Sequence, residues 1–316
     1  MSYSAHMRFP ERTLLLQIRR SVFRWYKKHG RRFDWRSTTD PYRILISEIM
    51  LQQTQAERVS KKFPLFLKRF PTIRSLADAT RADVIRAWQG MGYNNRAVRL
   101  HEMARMIVKK YGSQIPAHPS LLCELPGIGP YTAGAVACFS FRKHVAVVDV
   151  NIRRVLARVF RNGAISRLPG AEAEIHRIAS RILPRDAYTW NQALMDLGAT
   201  ICTARKPACH RCPLGRHCRS SHLGMATEAE TRIQARREPS HAGVPNRLWR
   251  GRIVEALRSL DDHNAVTVPR LGKSIKEDFR QEETRWLLRI LQSLSDDGIV
   301  TTGLARGITV VRLADE

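Results

Sequence analysis

Four cysteines cluster in the second half of the chain. Cys202, Cys209, Cys212 and Cys218 form C-x6-C-x2-C-x5-C within 17 residues. Thiols gathered so tightly suit a metal centre better than core packing, and thiolates serve either a tetrahedral zinc ion or an iron–sulfur cluster. Zinc sites tend to use two short Cys pairs, whereas this stretch has one short pair between two longer arms. Lys206, Arg211, Arg216 and Arg219 lie in or beside the loop, so a centre there would stiffen a basic surface able to meet phosphates. Cys123 and Cys138 stand apart and are expected to be core thiols.

Two carboxylates have surroundings that set them against each other chemically. Glu48 is the one acid in Ile46-Ser47-Glu48-Ile49-Met50-Leu51-Gln52-Gln53-Thr54-Gln55, with Ile44 and Leu45 just ahead of it. A carboxyl on an apolar helix favours its neutral form and can deliver a proton at neutral pH. The bland alternative is a solvent-facing Glu. Asp149 sits where the extended run Val145–Val148 meets a helix, beside Asn151, Arg153 and Arg154. It is expected to cap that helix and to stay ionised, and so to stabilise a cation. One neutral acid and one anion are what cleavage of a glycosidic bond needs. A third signal is Leu125-Pro126-Gly127-Ile128-Gly129-Pro130-Tyr131. Gly127 and Gly129 free backbone N–H groups at a helix start, an arrangement that grips an anion such as a DNA phosphate without reading sequence.

The cysteine spacing is similar to that of the four-iron loop in endonuclease III-type DNA glycosylases. With the Gly-rich turn some 70 residues earlier, the chain resembles the helix-hairpin-helix DNA glycosylases. That resemblance implies one [4Fe-4S] cluster on the four cysteines and double-stranded DNA with a mismatched or damaged pair as partner. Bifunctional members carry a nucleophilic Lys where this chain has Tyr131, so no Schiff base and no strand cleavage by β-elimination are expected. The run SEIMLQQTQ is similar to the matching helix of the MutY-type adenine DNA glycosylase branch, over about residues 20–218. By that likeness Glu48 protonates adenine and Asp149 stabilises the sugar cation, with Tyr131 and Asn151 as supporting polar groups. Gln53 and Tyr93 would push into the base stack, and Arg31, Trp35, Arg36 and Gln192 would line or brace the pocket of the extruded base. Extrusion itself costs roughly a few kcal/mol, less at a mismatch.

Three features depart from that branch. Residues 247–316 are too few for the MutT-like domain that checks for 8-oxoguanine, the wedge loop reads Gly92-Tyr93-Asn94 instead of Gly-Tyr-Tyr, and Asp149-Val150-Asn151 replaces Asp-Gly-Asn. The last is nearer to thymine/uracil–guanine mismatch glycosylases, which stay open as an alternative. A non-catalytic DNA sensor, or a winged-helix regulator with a redox cluster, are alternatives of another class.

The elements that must position these residues read as mainly α. Expected are a two-domain helix-hairpin-helix glycosylase fold with an iron–sulfur cluster loop, plus a small C-terminal winged-helix-like α+β domain. Residues 1–33 form an N-terminal helix joining the cluster domain, 34–145 a helical barrel-like domain, and 146–218 the cluster domain. Residues 219–246 read as a linker and 247–316 as the winged-helix-like unit. The active site is expected between the two main domains, with Glu48 and Asp149 on opposite walls. Pro41 opens a helix over Tyr42–Gln55, Pro64 and Pro71 punctuate the next ones, and Gly30 caps the first. Helices at Arg247–Leu260, Pro269–Ile275 and Glu282–Leu294 precede a hairpin over Ile299–Leu313 that turns at Gly303–Gly307.

Charge agrees with the partner. The net charge is +26, from 54 Lys+Arg and 28 Asp+Glu, and 43% of residues are hydrophobic, which excludes a disordered basic tail. Residues 1–218 hold 38 basic and 14 acidic residues, and the rest 16 and 14, so the excess belongs to the part that carries the motifs. No secretion signal or membrane span is expected. The protein is expected to be a cytoplasmic monomer, nucleoid-associated if bacterial, with no small-molecule cofactor beyond the cluster.

Overall fold

A computed structural model of the chain describes residues 11–161, 170–221, 238–260 and 264–315. Helices run over Arg12–His29 (α1), Pro41–Leu51 (α2), Ala56–Arg69 (α3), Ile73–Ala77 (α4), Arg81–Ala87 (α5), Asn95–Tyr111 (α6) and Pro119–Cys123 (α7). They continue over Pro130–Phe141 (α8), Val150–Arg161 (α9), Ala171–Ile182 (α10) and Ala187–Thr200 (α11). Past residue 237 come α12 (Asn246–Arg258), α13 (Val268–Ile275) and α14 (Thr284–Asp296). The strands are Ser240–His241 (β1), Val244–Pro245 (β2), Val266–Thr267 (β3), Val300–Ala305 (β4) and Ile308–Leu313 (β5). Among the described residues, no helix is long and apolar enough to cross a membrane.

The chain forms two compact units, each assembled from separated segments. The described residues within 1–41, 117–119 and 129–232 make the first, and those within 42–116, 120–128 and 233–316 the second. This differs from the sequence division, which also placed residues 34–41 in the barrel-like domain. Helix α8, expected in the barrel-like domain, belongs to the first unit, and the C-terminal module belongs to the second instead of standing alone.

In the first unit, α8 is buried from Thr132 to Ser140. Helix α1 buries Ile18, Val22 and Trp25, and Phe23 meets Trp190 of α11 edge-on at 5.8 Å between ring centroids. Gly30 ends α1 with ordinary φ of −60°, so its backbone conformation does not demand glycine; a Cβ there would lie 2.8 Å from the Tyr26 ring. Helices α9 and α11 approach so closely that a Cβ on Gly198 would come within 2.6 Å of Asn151 Cβ. Among the described residues no strand pairs with the extended run Val145–Val148; Asn191 holds it, accepting from Val147 N at 3.1 Å and donating to Val145 O at 2.9 Å.

In the second unit, α2 is buried from Ile44 to Met50 over a core that includes Phe66, Trp88 and Met103. Helix α3 runs through Pro64, contrary to the expected break. Its face of Val59, Phe63 and Phe66 is buried, and that burial offsets the hydrogen bond Pro64 cannot donate. The C-terminal module has the expected three helices and hairpin, extended by a third strand in the order β3-β5-β4. The β4–β5 register pairs Ala305 with Ile308, so the turn is Arg306-Gly307, both at positive φ, while Gly303 lies within the strand. A small hairpin, β1–β2, begins the module at Ser240, before the expected start. At the other end of the expected linker, Arg219 and Ser220 hydrogen-bond Val159 O and Arg158 O beside the cysteine loop. The remainder of that linker, 222–237, lies outside the described residues.

Candidate active site

Asp149 stands at the start of α9 and caps it, its Oδ1 accepting from Ile152 N at 2.7 Å. Its Oδ2 accepts from Asn151 Nδ2 at 2.7 Å. Burial raises the Asp149 pKa above the ordinary aspartate value, while those two donors and Arg154 pull it down less strongly. The helix start alone therefore does not govern its titration, as the sequence had suggested. Asn151 Oδ1 in turn accepts from Arg154 Nη2 at 2.9 Å, and Arg154 donates to Gly198 O and, through Nε, to Cys202 O at 2.7 Å. The Asp149 carboxylate is thus tied by two side chains to the backbone of the first cysteine in the loop.

In the same unit, Tyr131 is half-buried in the first turn of α8, and Gln192 is buried on α11. Trp35 is buried and stacks on Phe33 with ring centroids 4.6 Å apart. Arg31 and Arg36 both turn to Asp196 of α11. Arg31 N and Nε donate to its two oxygens at 2.8 Å each, and Arg36 Nη1 and Nη2 do so at 2.8 and 2.9 Å. The Asp196 side chain is wholly buried, and of the two roles the sequence left open to these arginines, the observed contacts are bracing ones. Burial alone would raise the Asp196 pKa, but the Arg36 and Arg31 guanidiniums hold it below the usual range.

Glu48, Gln53, Tyr93 and Gly127 belong to the second unit. Glu48 is 5% exposed on the buried α2. Helix α2 ends at Leu51, four residues short of the expected end, because its last carbonyls are taken by a side chain from another helix. Arg96 Nη1 donates to the carbonyls of Ile49 (2.9 Å), Met50 (3.0 Å) and Gln52 (2.5 Å). Arg96 Nη2 donates to Thr54 Oγ1, Met91 O and Gly92 O at 2.9, 3.0 and 3.2 Å. One guanidinium thereby ties together the two loops that carry Gln53 and Tyr93. Both residues are exposed and both have positive φ, 53° and 46°, a region that costs roughly 1–2 kcal/mol per non-glycine residue. Burial lowers the Arg96 pKa to about 10, which leaves it charged at neutral pH.

The two hairpin glycines differ. Gly127 has φ +79°, closes the turn in which Ile128 N donates to Leu125 O at 3.1 Å, and accepts from Gln52 Nε2 at 3.4 Å. Gly129, the N-cap of α8, has φ −95° and nothing within 4 Å of where a Cβ would stand. Glycine is needed for conformation at the first position; at the second it leaves room at a helix start where an anion would approach.

Asp196 and Arg96 are not among the residues expected from the sequence. Asp196 is a lone acid in the apolar helix Trp190–Gly198, the same signal that marked Glu48. Arg96 lies in the first turn of α6, where the helix dipole disfavours a cation, and that mismatch was legible.

The cysteines are close enough that the charges of their neighbours help to raise the pKa of Cys212 and Cys218, burial being the larger cause. Burial, aided by the other three, pushes the Cys212 thiol up to about 11. Arg158 Nη1 donates to Cys202 Sγ at 3.4 Å, and Cys218 Sγ donates to Arg158 O at 3.4 Å. Crowded thiolates of this kind need a cationic centre. Four thiolates in one short loop are a donor set that fits an iron–sulfur cluster. Cys202, Cys209, Cys212 and Cys218 would hold it, and its iron–thiolate bonds would cross-link the loop.

Residues 46–185 match the family model described as the HhH-GPD superfamily base excision DNA repair protein, and residues 202–218 match the iron–sulfur binding domain of endonuclease III. The fold is thus that of a helix-hairpin-helix base-excision protein with an iron–sulfur loop. An adenine DNA glycosylase from Mycobacterium tuberculosis is 39% identical over 284 residues, spanning 89% of each chain. The human adenine DNA glycosylase is 35% identical over 229 residues, 69% of this chain and 42% of that one. On this identity and coverage, the chain belongs to the adenine DNA glycosylase family. Among solved structures, a thermostable thymine-DNA glycosylase superposes with TM-score 0.63 at 31% identity, covering 67% of this chain and 98% of that one. A DNA complex of endonuclease III superposes with TM-score 0.57 at 22% identity, over the same shares of the two chains, and shares the fold.

Proposed function

We propose that the protein is a monofunctional DNA glycosylase of base excision repair that hydrolyses the N-glycosidic bond of adenine mispaired with guanine or 8-oxoguanine. The observation that carries this reading is Glu48, an acid buried on an apolar helix. Burial favours the neutral carboxyl, which can give its proton to a ring nitrogen of adenine. The C1′–N bond then breaks with its electron pair going to the base, and the sugar becomes an oxocarbenium-like cation. Asp149, oriented by Ile152 N and Asn151, offers the anion for that cation. Water adds to C1′ and yields its proton to the Glu48 carboxylate, which restores the starting state. Tyr131 in the first turn of α8 has no amine to attack the sugar, which supports base release without strand cleavage.

Gln53 and Tyr93, exposed on strained loops, fill the space left by the extruded base, and the Gly127–Gly129 turn holds the backbone phosphate. Gln192 and Trp35 belong to the pocket of the extruded base, which Arg31 and Arg36 brace through Asp196. The protein works as a monomer on duplex DNA, in the cytoplasm and on the nucleoid if its source is bacterial.

Duplexes carrying A, T or U opposite G and opposite 8-oxoguanine, cleaved with alkali after incubation, test the reading. The wild type is expected to release adenine. Glu48→Gln is expected to bind the same duplexes while excision slows by about 10²–10⁴-fold, the range of general acid catalysis. Release confined to T or U would refute adenine, and unchanged turnover of Glu48→Gln would remove Glu48 from the mechanism.

A further inference from the structure

Among the described residues, polar contacts join the C-terminal module to the rest of the second unit around Arg258. Arg258, at the end of α12, sends its guanidinium onto the last turn of α5 and the residue that precedes α6. Its Nε and Nη2 donate to Ile85 O at 3.0 and 2.8 Å, and Nη2 also donates to Asn94 Oδ1 at 2.9 Å. The Arg258 side chain is 8% exposed. Around it, Glu255 meets the Gln89 amide, Arg81 N donates to Asp315 O at 3.1 Å, and Gly298 lies against Arg81 and Val98.

Asn94 is the telling residue. It is the N-cap of α6, where an Asn side chain ordinarily accepts from a first-turn amide, yet it makes no cap hydrogen bond. Its oxygen is given to Arg258 instead. Asn94 directly follows Tyr93, whose φ of 46° must be held by its surroundings. Arg96 grips the same loop through Met91 O and Gly92 O. Two guanidiniums from different elements therefore fix the residues on both sides of Tyr93.

We infer that the C-terminal module is a brace for the Tyr93 loop, and that Arg258 is a positioning residue that acts through Asn94 on extrusion of the target base. This rests on the reading of Tyr93 as the side chain that enters the base stack. On this view the module needs no DNA contact of its own, in keeping with the near-balanced charge of residues 219–316, 16 basic and 14 acidic. An untethered loop would still carry Tyr93 but would present it in many orientations, and the entropy of ordering it would fall on the extrusion step.

The test uses the full chain carrying Glu48→Gln, so that no base is released, and a duplex with 2-aminopurine as the target base opposite guanine. Stopped-flow fluorescence reports its unstacking. Asn94→Leu removes only the loop end of the Arg258 fork and leaves the Ile85 bonds, whereas Arg258→Met removes both. Each is expected to slow extrusion about tenfold or more, the size of one charge-assisted hydrogen bond, and the double variant is expected to be no slower than Arg258→Met. Thermal melting checks each variant; if Arg258→Met does not fold, Asn94→Leu decides alone. Extrusion unchanged in Asn94→Leu but lost in Tyr93→Ala would overturn the brace and leave the wedge reading intact. Extrusion unchanged in Tyr93→Ala would refute the wedge reading and the brace with it.

Discussion

Replacing Asp196 with Asn tests how the first unit holds the segment that carries Trp35. The change keeps the shape of the side chain but removes the charge that two arginines share. Asp196 accepts four hydrogen bonds of 2.8–2.9 Å from Arg31 and Arg36, and its side chain is wholly buried. An Asn offers one acceptor oxygen, and its Nδ2 would face N–H donors. Breaking a buried ion pair from one side costs about 3–5 kcal/mol, most of it from the unpaired cation left behind. At about 2–4 °C per kcal/mol for a chain of this class, Tm should fall by about 6–20 °C. Differential scanning calorimetry at neutral pH measures it. The stabilisation from Asp196, whose pKa is depressed in the fold, is complete above the ordinary aspartate range and is lost as pH falls through the depressed value. The Tm difference between wild type and variant should therefore shrink in acid. Asp196→Leu combined with Arg36→Met should regain at least half of the loss, because the uncompensated buried charge goes with its partner. A single-variant loss below about 2 °C, or a difference that does not shrink in acid, would refute the reasoning.

Asn151→Leu removes a donor that holds the Asp149 pKa down, so the acid limb of the single-turnover pH profile, already above the ordinary aspartate value, should move to higher pH; an unmoved limb would separate Asp149 from it. Tyr131→Lys should introduce a Schiff-base product that borohydride traps on abasic DNA, with none in the wild type. Arg96→Lys keeps the charge but cannot span six acceptors on α2 and two loops. It should lower Tm by several degrees and slow excision on duplex DNA at least tenfold, and wild-type values on both assays would show that the fork is dispensable.

What the sequence made legible was local. The cysteine spacing, the Gly127–Gly129 turn and Glu48 on its apolar helix each lie within about ten to twenty residues. What it hid depends on partners far away in the chain. Arg31 and Asp196 are 165 residues apart, so nothing near Arg31 announces that its side chain is already engaged. Helix α2 stops before its expected end because Arg96, 44 residues beyond Gln52, takes the carbonyls that would have continued the helix. Pro64 was read by its intrinsic preference, which the burial of Phe63 and Phe66 overrides.

The segmented make-up of the first unit has a consequence during synthesis. Helix α1 ends at His29, but the helix it packs on begins at Ala187, roughly 160 residues later. At about 5–20 residues per second, α1 leaves the ribosome some 10–30 s before its partner exists. Through that interval its apolar stripe of Ile18, Val22 and Trp25 is uncovered, while residues 42–116 of the second unit already have most of a core to collapse upon. The seven Lys, Arg and His residues of α1, three of them in its last turn, keep the waiting helix soluble and repel neighbouring nascent chains. The basic charge of the N-terminal segment thus serves the newborn chain before any DNA is met.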